Sequence, residues 1–285
     1  GGRFDIVDYK GPQTTPPHIE EIADVTFVER PSGPLQLDVL RSAALDAPAP
    51  GIVLIHGGSF RRGHRDRMRA YAVELAERGY VSVPVDHRFA PAHPFPAAVQ
   101  DLHAALRHLR DHAGRYGIDA ERLVLFGASS GANLGLMAAY AAEEPDWREG
   151  HAPVPVAGVI DLYGPVDLAD PQARDHWVVT DYLGTTFEAG PERFAAASPL
   201  NHVDGGAPPT LIIQGTTDRL VPVEQSDALA RALRDAGVPY WYDRIENWPH
   251  GADLHPQVRE RVLALVDAFI QREVNGSAIR VAGAG

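Results

Sequence analysis

Leu123-Val124-Leu125-Phe126-Gly127-Ala128-Ser129-Ser130-Gly131 is the stretch that decides how this chain is read. An apolar run ends in Gly-x-Ser-x-Gly, and Ala132-Asn133-Leu134-Gly135-Leu136-Met137-Ala138-Ala139-Tyr140 behind it reads as a helix. A serine on a sharp strand-to-helix turn is pushed out at the carboxyl edge of a sheet. Its neighbours must be small, because the turn is strained and the helix packs close to the strand. Glycine and serine also occur in ordinary turns, so the bare pattern is weak evidence. The strand, turn and helix that it requires are all present here, and Ser129 is read as a nucleophile.

Strands and helices alternate on both sides of that turn. Upstream, the alternating runs 25–28 and 35–40 flank Pro31-Ser32-Gly33-Pro34 and predict a β-hairpin. Residues 52–55 are a short apolar run suited to a buried parallel strand. A helix is expected over 67–78, a strand over 81–85 and a helix over 97–112. Downstream, strands are expected at 156–160, 209–214 and 240–245, with helices at 222–236 and 257–272. This order predicts an α/β fold, with a mostly parallel sheet and helices on both faces. Residues 1–23 are rich in proline and acid and are expected to form an irregular arm. Residues 164–208 are too long for a plain connection and are expected to form a small helical insertion over the active-site rim. No linker or repeat divides the chain, so residues 1–285 are expected to be one domain.

Composition narrows the function. The net charge is −12, which argues against a nucleic-acid partner, since backbone phosphates demand a basic face. No stretch approaches the ~20 apolar residues needed to cross a bilayer, so no membrane partner is expected. The chain has no cysteine, which removes disulfides, a cysteine nucleophile and cysteinyl metal sites. The histidines show no metal-ligand spacing, and no phosphate loop or Gly-x-Gly-x-x-Gly follows a strand. No metal or cofactor is therefore expected. Gly1-Gly2-Arg3-Phe4-Asp5 lacks a signal pattern, and the expectation is a cytoplasmic protein. Because the chain begins without methionine, a trimmed leader and a secreted protein stay open. An edge strand or the last helix is a candidate surface for pairing two copies into a homodimer.

Serine is a poor nucleophile near neutral pH unless a base lies within hydrogen-bond reach and an acid orients that base. In this architecture the chain order is serine, acid, histidine. Asp218 follows the strand Leu211-Ile212-Ile213-Gln214 and is the candidate acid. The same aspartate would also suit a cap for the helix starting near Pro222. His250, in Trp248-Pro249-His250-Gly251, follows the next strand and is the candidate base. His255 competes but reads as the start of the last helix. His56-Gly57-Gly58-Ser59-Phe60 directly follows strand 52–55. Paired glycines let backbone N–H groups approach a developing oxyanion, so Gly57, Gly58 and Ser130 are the candidate donors. Phe60, Trp177, Tyr182, Phe187 and Trp248 are candidate substrate-pocket residues, although aromatics in an insertion also simply pack its core. The basic cluster Arg61-Arg62-Gly63-His64-Arg65-Asp66-Arg67 suits either an anionic substrate group or a solvated helix start.

His-Gly-Gly-x-Phe, Asp86-His87-Arg88-Phe89-Ala90-Pro91 with Pro94-Phe95-Pro96, and Gly-x-Ser-x-Gly-x-Asn together resemble the hormone-sensitive-lipase-like carboxylesterases of the α/β-hydrolase fold. The similarity covers roughly residues 50–270. It implies a triad of Ser129, Asp218 and His250, an oxyanion hole at Gly57 and Gly58, and a serine esterase that works through an acyl-enzyme. It also implies that 86–91 buttresses the oxyanion loop. Ala128 stands where the family often has aspartate, and Ser59 where it has a third glycine. A short arm replaces the family's helical N-terminal cap. Asp218-Arg219-Leu220-Val221-Pro222 also resembles feruloyl-type esterases, carbohydrate acetylesterases and kynurenine formamidases. The expected substrates are small to medium acyl esters. Amide, formamide, lactone or thioester chemistry, acyl transfer, and a non-catalytic binding protein on the same fold are the alternatives.

Overall fold

A computed structural model of the chain describes residues 14–276. Among these described residues the central sheet has eight strands: β1 Ile19–Arg30, β2 Gly33–Ser42, β3 Ala49–Ile55, β4 Val81–Val85, β5 Ile118–Ala128, β6 Gly158–Leu162, β7 Thr210–Gly215 and β8 Tyr240–Ile245. Their spatial order is β1-β2-β4-β3-β5-β6-β7-β8. The first two pairings in that order are antiparallel, and every pairing from β4 to β8 is parallel. Strands β3, β4, β6 and β7 are buried along their whole length, as expected where helices cover both faces of a parallel sheet.

The helices are α1 Arg69–Glu77, α2 Ala97–Asp111, α3 Ala113–Tyr116, α4 Ser130–Tyr140, α5 Trp177–Leu183, α6 Pro191–Ala196, α7 Val223–Asp235 and α8 Pro256–Phe269. Alternation along each strand divides the core into two layers. In β5, Leu123 and Leu125 pack with Leu102 and Leu106 of α2 and Leu229 of α7. Val124 and Phe126 face the other way, with Tyr71 of α1 and Val262 of α8. Among the described residues no helix is long and apolar enough to cross a membrane.

The expected hairpin is present but longer than its apolar runs. β1 starts at Ile19, inside residues expected to be irregular, whereas residues 1–13 of that arm lie outside the described residues. Its polar start is paid for by ion pairs of Glu20 with Arg41 at 2.9 Å and Glu21 with Arg69 at 2.7 Å. β5 also begins early, at Ile118 rather than 123, and β6 runs over 158–162 rather than 156–160. The expected helix over 67–78 opens with a 3-10 turn at Arg65–Met68, and the last helix ends in a π-helical turn at Ile270–Asn275.

Arg65 fastens the hairpin to the sheet. Its side chain is buried and donates through Nε to Asp38 of β2 at 3.0 Å and through Nη1 to Asp86, just past β4, at 2.5 Å. The other terminal nitrogen reaches Asp24 of β1. A buried charge pair loses about 3–5 kcal/mol when one partner is removed, because the other charge is left uncompensated. Arg65→Met is therefore expected to lower unfolding free energy by about that amount in urea titrations. Truncation of Arg78, whose pair with Asp267 lies near the surface, is expected to leave the midpoint nearly unchanged.

Candidate active site

Parallel register brings five strand ends to one edge. Ile55 pairs with Gly127, Ala128 with Leu162, Leu162 with Ile213 and Gly215 with Ile245. The chain order reverses at β3, which lies between β4 and β5, and ligands of open α/β sheets bind outside the carboxyl ends at such a point.

Ser129 sits between β5 and α4 with φ 55° and ψ −124°, a conformation that L residues adopt only under constraint. The turn is tight because its flanking glycines touch backbone. A β-carbon on Gly131 would lie 2.3 Å from the Ile55 carbonyl oxygen, and one on Gly127 would lie 2.3 Å from the Gly131 oxygen. The Ser129 N–H donates to the Leu162 carbonyl at 2.8 Å, which ties the bend to β6.

His250 Nε2 lies 3.0 Å from Ser129 Oγ, and His250 Nδ1 lies 2.6 Å from Asp218 Oδ2. An imidazole that donates its Nδ1 proton to the carboxylate leaves the Nε2 lone pair free to accept the serine O–H. Asp218 Oδ1 accepts from the backbone N–H groups of Leu220 at 2.8 Å and Val221 at 2.9 Å. Gln214 Nε2 donates to Oδ2 at 3.1 Å. Burial alone would raise the Asp218 carboxyl, but the hydrogen bond and charge of His250, with those two backbone amides, outweigh it. The group is held below the usual carboxylate range.

The loop after β3 faces the same point. Among the described residues, the N–H groups of Gly57, Gly58 and Ser130 meet no intramolecular acceptor, and all three residues line one cavity with Ser129 and His250. Gly58 has φ 147°, and a β-carbon there would collide with the Arg62 carbonyl oxygen at 1.7 Å. His56, beneath this loop, is buried and stacked on His87 with ring centres 4.5 Å apart. Burial pushes its imidazole down to about 3, helped by the facing His87.

The cavity has a volume of about 460 Å³. Leu168 and Val179, from residues 164–208, form one wall, and Leu220 and Val221 another. Of the five expected pocket aromatics, only Phe60 lines it. Tyr182 is buried behind Phe60, the two rings stacked at 3.8 Å. Phe187 packs edge-on against Phe194. Trp248 packs on His255, away from the cavity. Trp177 is 58% exposed, with the Arg61 guanidinium over its ring at 4.8 Å. Aromatic type alone did not say which face of the insertion each ring would take. The basic cluster divides: Arg65 is buried in ion pairs, while Arg67 lines the cavity.

Motif reading missed Gln214, Tyr71, Tyr163 and Asp253. Gln214 steadies Asp218, and the other three line the cavity. Tyr163 carried the only available signal, its place directly after a parallel strand. Among the described residues no group of three or more His, Asp or Glu side chains is placed to hold a metal ion.

A serine on a strained bend, an imidazole and carboxylate in line, and backbone amides opposite are the arrangement of a serine hydrolase on the α/β-hydrolase fold. The BD-FAE family matches residues 37–233, more than half the chain, and the chain belongs to that family. It is 30% identical to esterase LipC of Mycobacterium tuberculosis, over 95% of this chain and 72% of that protein. Identity to esterase LipQ of the same organism is 31%, over 80% of this chain. The chain spans 56% of LipQ's length. Among solved structures, an esterase from Thermogutta terrifontis with propionate bound superposes with a TM-score of 0.77. That comparison has 25% identity and covers 90% of this chain and 94% of the esterase.

The low position of His56 sets a direction for stability. Above its ordinary value near 6.5, the imidazole is neutral in both folded and unfolded chains. As pH falls from there toward about 3, the unfolded chain takes up a proton that folded His56 refuses, and stability is lost. Each pH unit in that window costs about 1.4 kcal/mol for this group. Urea midpoints measured from neutral to acidic pH should fall steeply for the wild type. His56→Asn should remove about that much of the slope per unit.

Proposed function

We propose that this chain hydrolyses esters of small to medium acyl groups through an acyl-enzyme formed on Ser129. The observation that carries this reading is the line from Asp218 Oδ2 through the His250 ring to Ser129 Oγ, with links of 2.6 and 3.0 Å. His250 takes the hydroxyl proton as Ser129 Oγ bonds to the ester carbonyl carbon. Asp218 stabilises the imidazolium that forms. The carbonyl oxygen becomes an oxyanion that accepts from the N–H groups of Gly57, Gly58 and Ser130. Each such donor contributes about 10²–10³ in rate at comparable sites. Collapse of the tetrahedral intermediate breaks the ester C–O bond, and His250 gives its proton to the departing alcohol. Water then attacks the acyl-enzyme, His250 again acting as base, and the acid leaves.

Acyl size is inferred from the cavity. About 460 Å³ is the size of a small-molecule site and favours a small to medium acyl group. The propionate held by the Thermogutta esterase agrees with a short acyl group. Residues 164–208 act as an insertion on a single catalytic domain, since Leu168 and Val179 roof the site. A cytoplasmic location belongs to the same reading, as does pairing of two copies. The sheet's open edges at β1 and β8, or the outer face of α8, are the surfaces for such pairing.

The test is turnover of p-nitrophenyl acetate and butyrate. Ser129→Ala should lower kcat by about 10⁴-fold or more while the protein stays folded. Wild-type turnover by that variant would remove the nucleophile. A panel of matched esters, amides and thioesters would then rank the bond cleaved, with the ester expected to lead.

A further inference from the structure

Asp253 lies on the 3-10 turn Ala252–Leu254, directly behind the loop that carries His250. Its carboxylate is buried and holds two phenols. Oδ2 accepts from the Tyr71 O–H at 3.1 Å, and Oδ1 accepts from the Tyr163 O–H. Tyr71 belongs to α1, and its ring packs 4.8 Å from Phe126 of β5, the strand that leads into the serine bend. Tyr163 follows β6 with φ 47°, and its N–H donates to the Ile213 carbonyl of β7 at 3.0 Å.

Tyr163 also touches the imidazole. Its ring centre lies 4.6 Å from that of His250, at 60° to it. The residue before it, Leu162, accepts the Ser129 N–H. One side chain is thus fixed by its backbone to the nucleophile's bend, by its face to the base and by its hydroxyl to the turn behind the base. The charged groups around the carboxylate are Arg259, whose guanidinium lies 3.7 Å above the Tyr71 ring, and Glu74, which accepts from Arg259 Nε at 2.7 Å. His250 itself faces Asp218 and Tyr163. Burial and the Asp253 charge push the Tyr163 phenol well above its ordinary value, so it remains a donor throughout the working range.

We propose that Asp253 and Tyr163 are positioning residues that hold the His250 imidazole in reach of Ser129. The proposal rests on the triad reading given above. Neither residue exchanges a proton with substrate. They fix the loop and ring, and a misplacement of about 1 Å in such a group costs on the order of 100-fold in rate.

The experiment is steady-state hydrolysis of p-nitrophenyl butyrate across the acid limb for the wild type, Tyr163→Phe, Asp253→Asn and Ser129→Ala. Thermal melts and titration of active sites with an organophosphonate accompany it. Tyr163→Phe keeps the ring and loses only the tie. It should lower kcat per titrated site by about 10- to 100-fold, with KM within about twofold and the acid limb unmoved. Asp253→Asn should lower kcat similarly. A lower melting temperature with wild-type kcat per titrated site in both variants would overturn the proposal and leave the triad standing. Full activity of Ser129→Ala would instead sink the triad and the positioning role together.

Discussion

The contact between Gly131 and the end of β3 is the constraint on which the site depends. It sets α4 hard against the sheet, so the chain cannot leave β5 by a relaxed turn. Ser129 takes up the difference in a backbone conformation that costs about 1–3 kcal/mol at such positions. The strain persists because its surroundings are stiff. β5 lies between β3 and β6 and is paired on both sides as far as Gly127, and α4 is buried along nearly its whole length. The same contact brings His56, Gly57 and Gly58 within reach of the serine, because they are the residues that follow β3. The places of the proposed nucleophile and oxyanion donors both follow from one close approach of two backbones.

Asp218 is placed for both of the roles that its sequence position left open. Read along the chain, it fits either a turn cap or a triad acid. Its two oxygens divide between them, Oδ1 toward the turn and Oδ2 toward the proposed base. Oδ1 takes the N–H groups of Leu220 and Val221 and so closes the turn, while Oδ2 faces His250. The helix behind it, α7, starts at Val223 with no side-chain cap from Pro222. A buried carboxylate is tolerated only when its lone pairs are filled. Gln214 supplies the last donor, and its own carbonyl accepts from the Ser226 hydroxyl at 3.1 Å. The acid is thereby rigid before any substrate arrives.

The strands that form the central sheet were legible because burial on both faces demands continuous apolar runs. Leu123 to Phe126 and Ile52 to Ile55 can be little else. The order of Ser129, Asp218 and His250 was legible for a related reason: each follows such a run, and parallel register carries every following loop to one edge. Strand starts were not legible. Ile118-Asp119-Ala120-Glu121-Arg122 reads as polar, yet Arg122 bonds Asp119 at 2.8 Å and Ile118 pairs with Ala49. Those compensations are invisible without the partner. The aromatics of 164–208 failed similarly. Nothing periodic marks which side of a short helix meets the cavity, so Val179 lines it while Trp177, two positions earlier, points to solvent.

The proposed catalytic groups do not share an equal footing. Ser129 and the oxyanion loop follow strands β5 and β3, each paired on both sides, and Asp218 follows β7, which is also paired on both sides. His250 follows β8, which among the described residues is an edge strand with one neighbour and mostly half-exposed residues. Its loop bends through Asn247 at φ 63° and Gly251 at φ 74°, and its first half is tied to the turn after β7, the Thr217 N–H donating to the Trp248 carbonyl at 3.0 Å and the Asn247 N–H to the Thr216 hydroxyl at 2.8 Å. Local stability falls where few buried contacts hold the backbone. Those ties lie ahead of His250, so the segment that follows the proposed base is held from elements outside β7 and β8. The hydrogen bond to Asp218 fixes one nitrogen of the ring but does not restrain the loop behind it. A carboxylate three residues on, buried against phenols from α1 and from the end of β6, restrains that loop directly. It does so from elements that are themselves packed on the strand feeding Ser129.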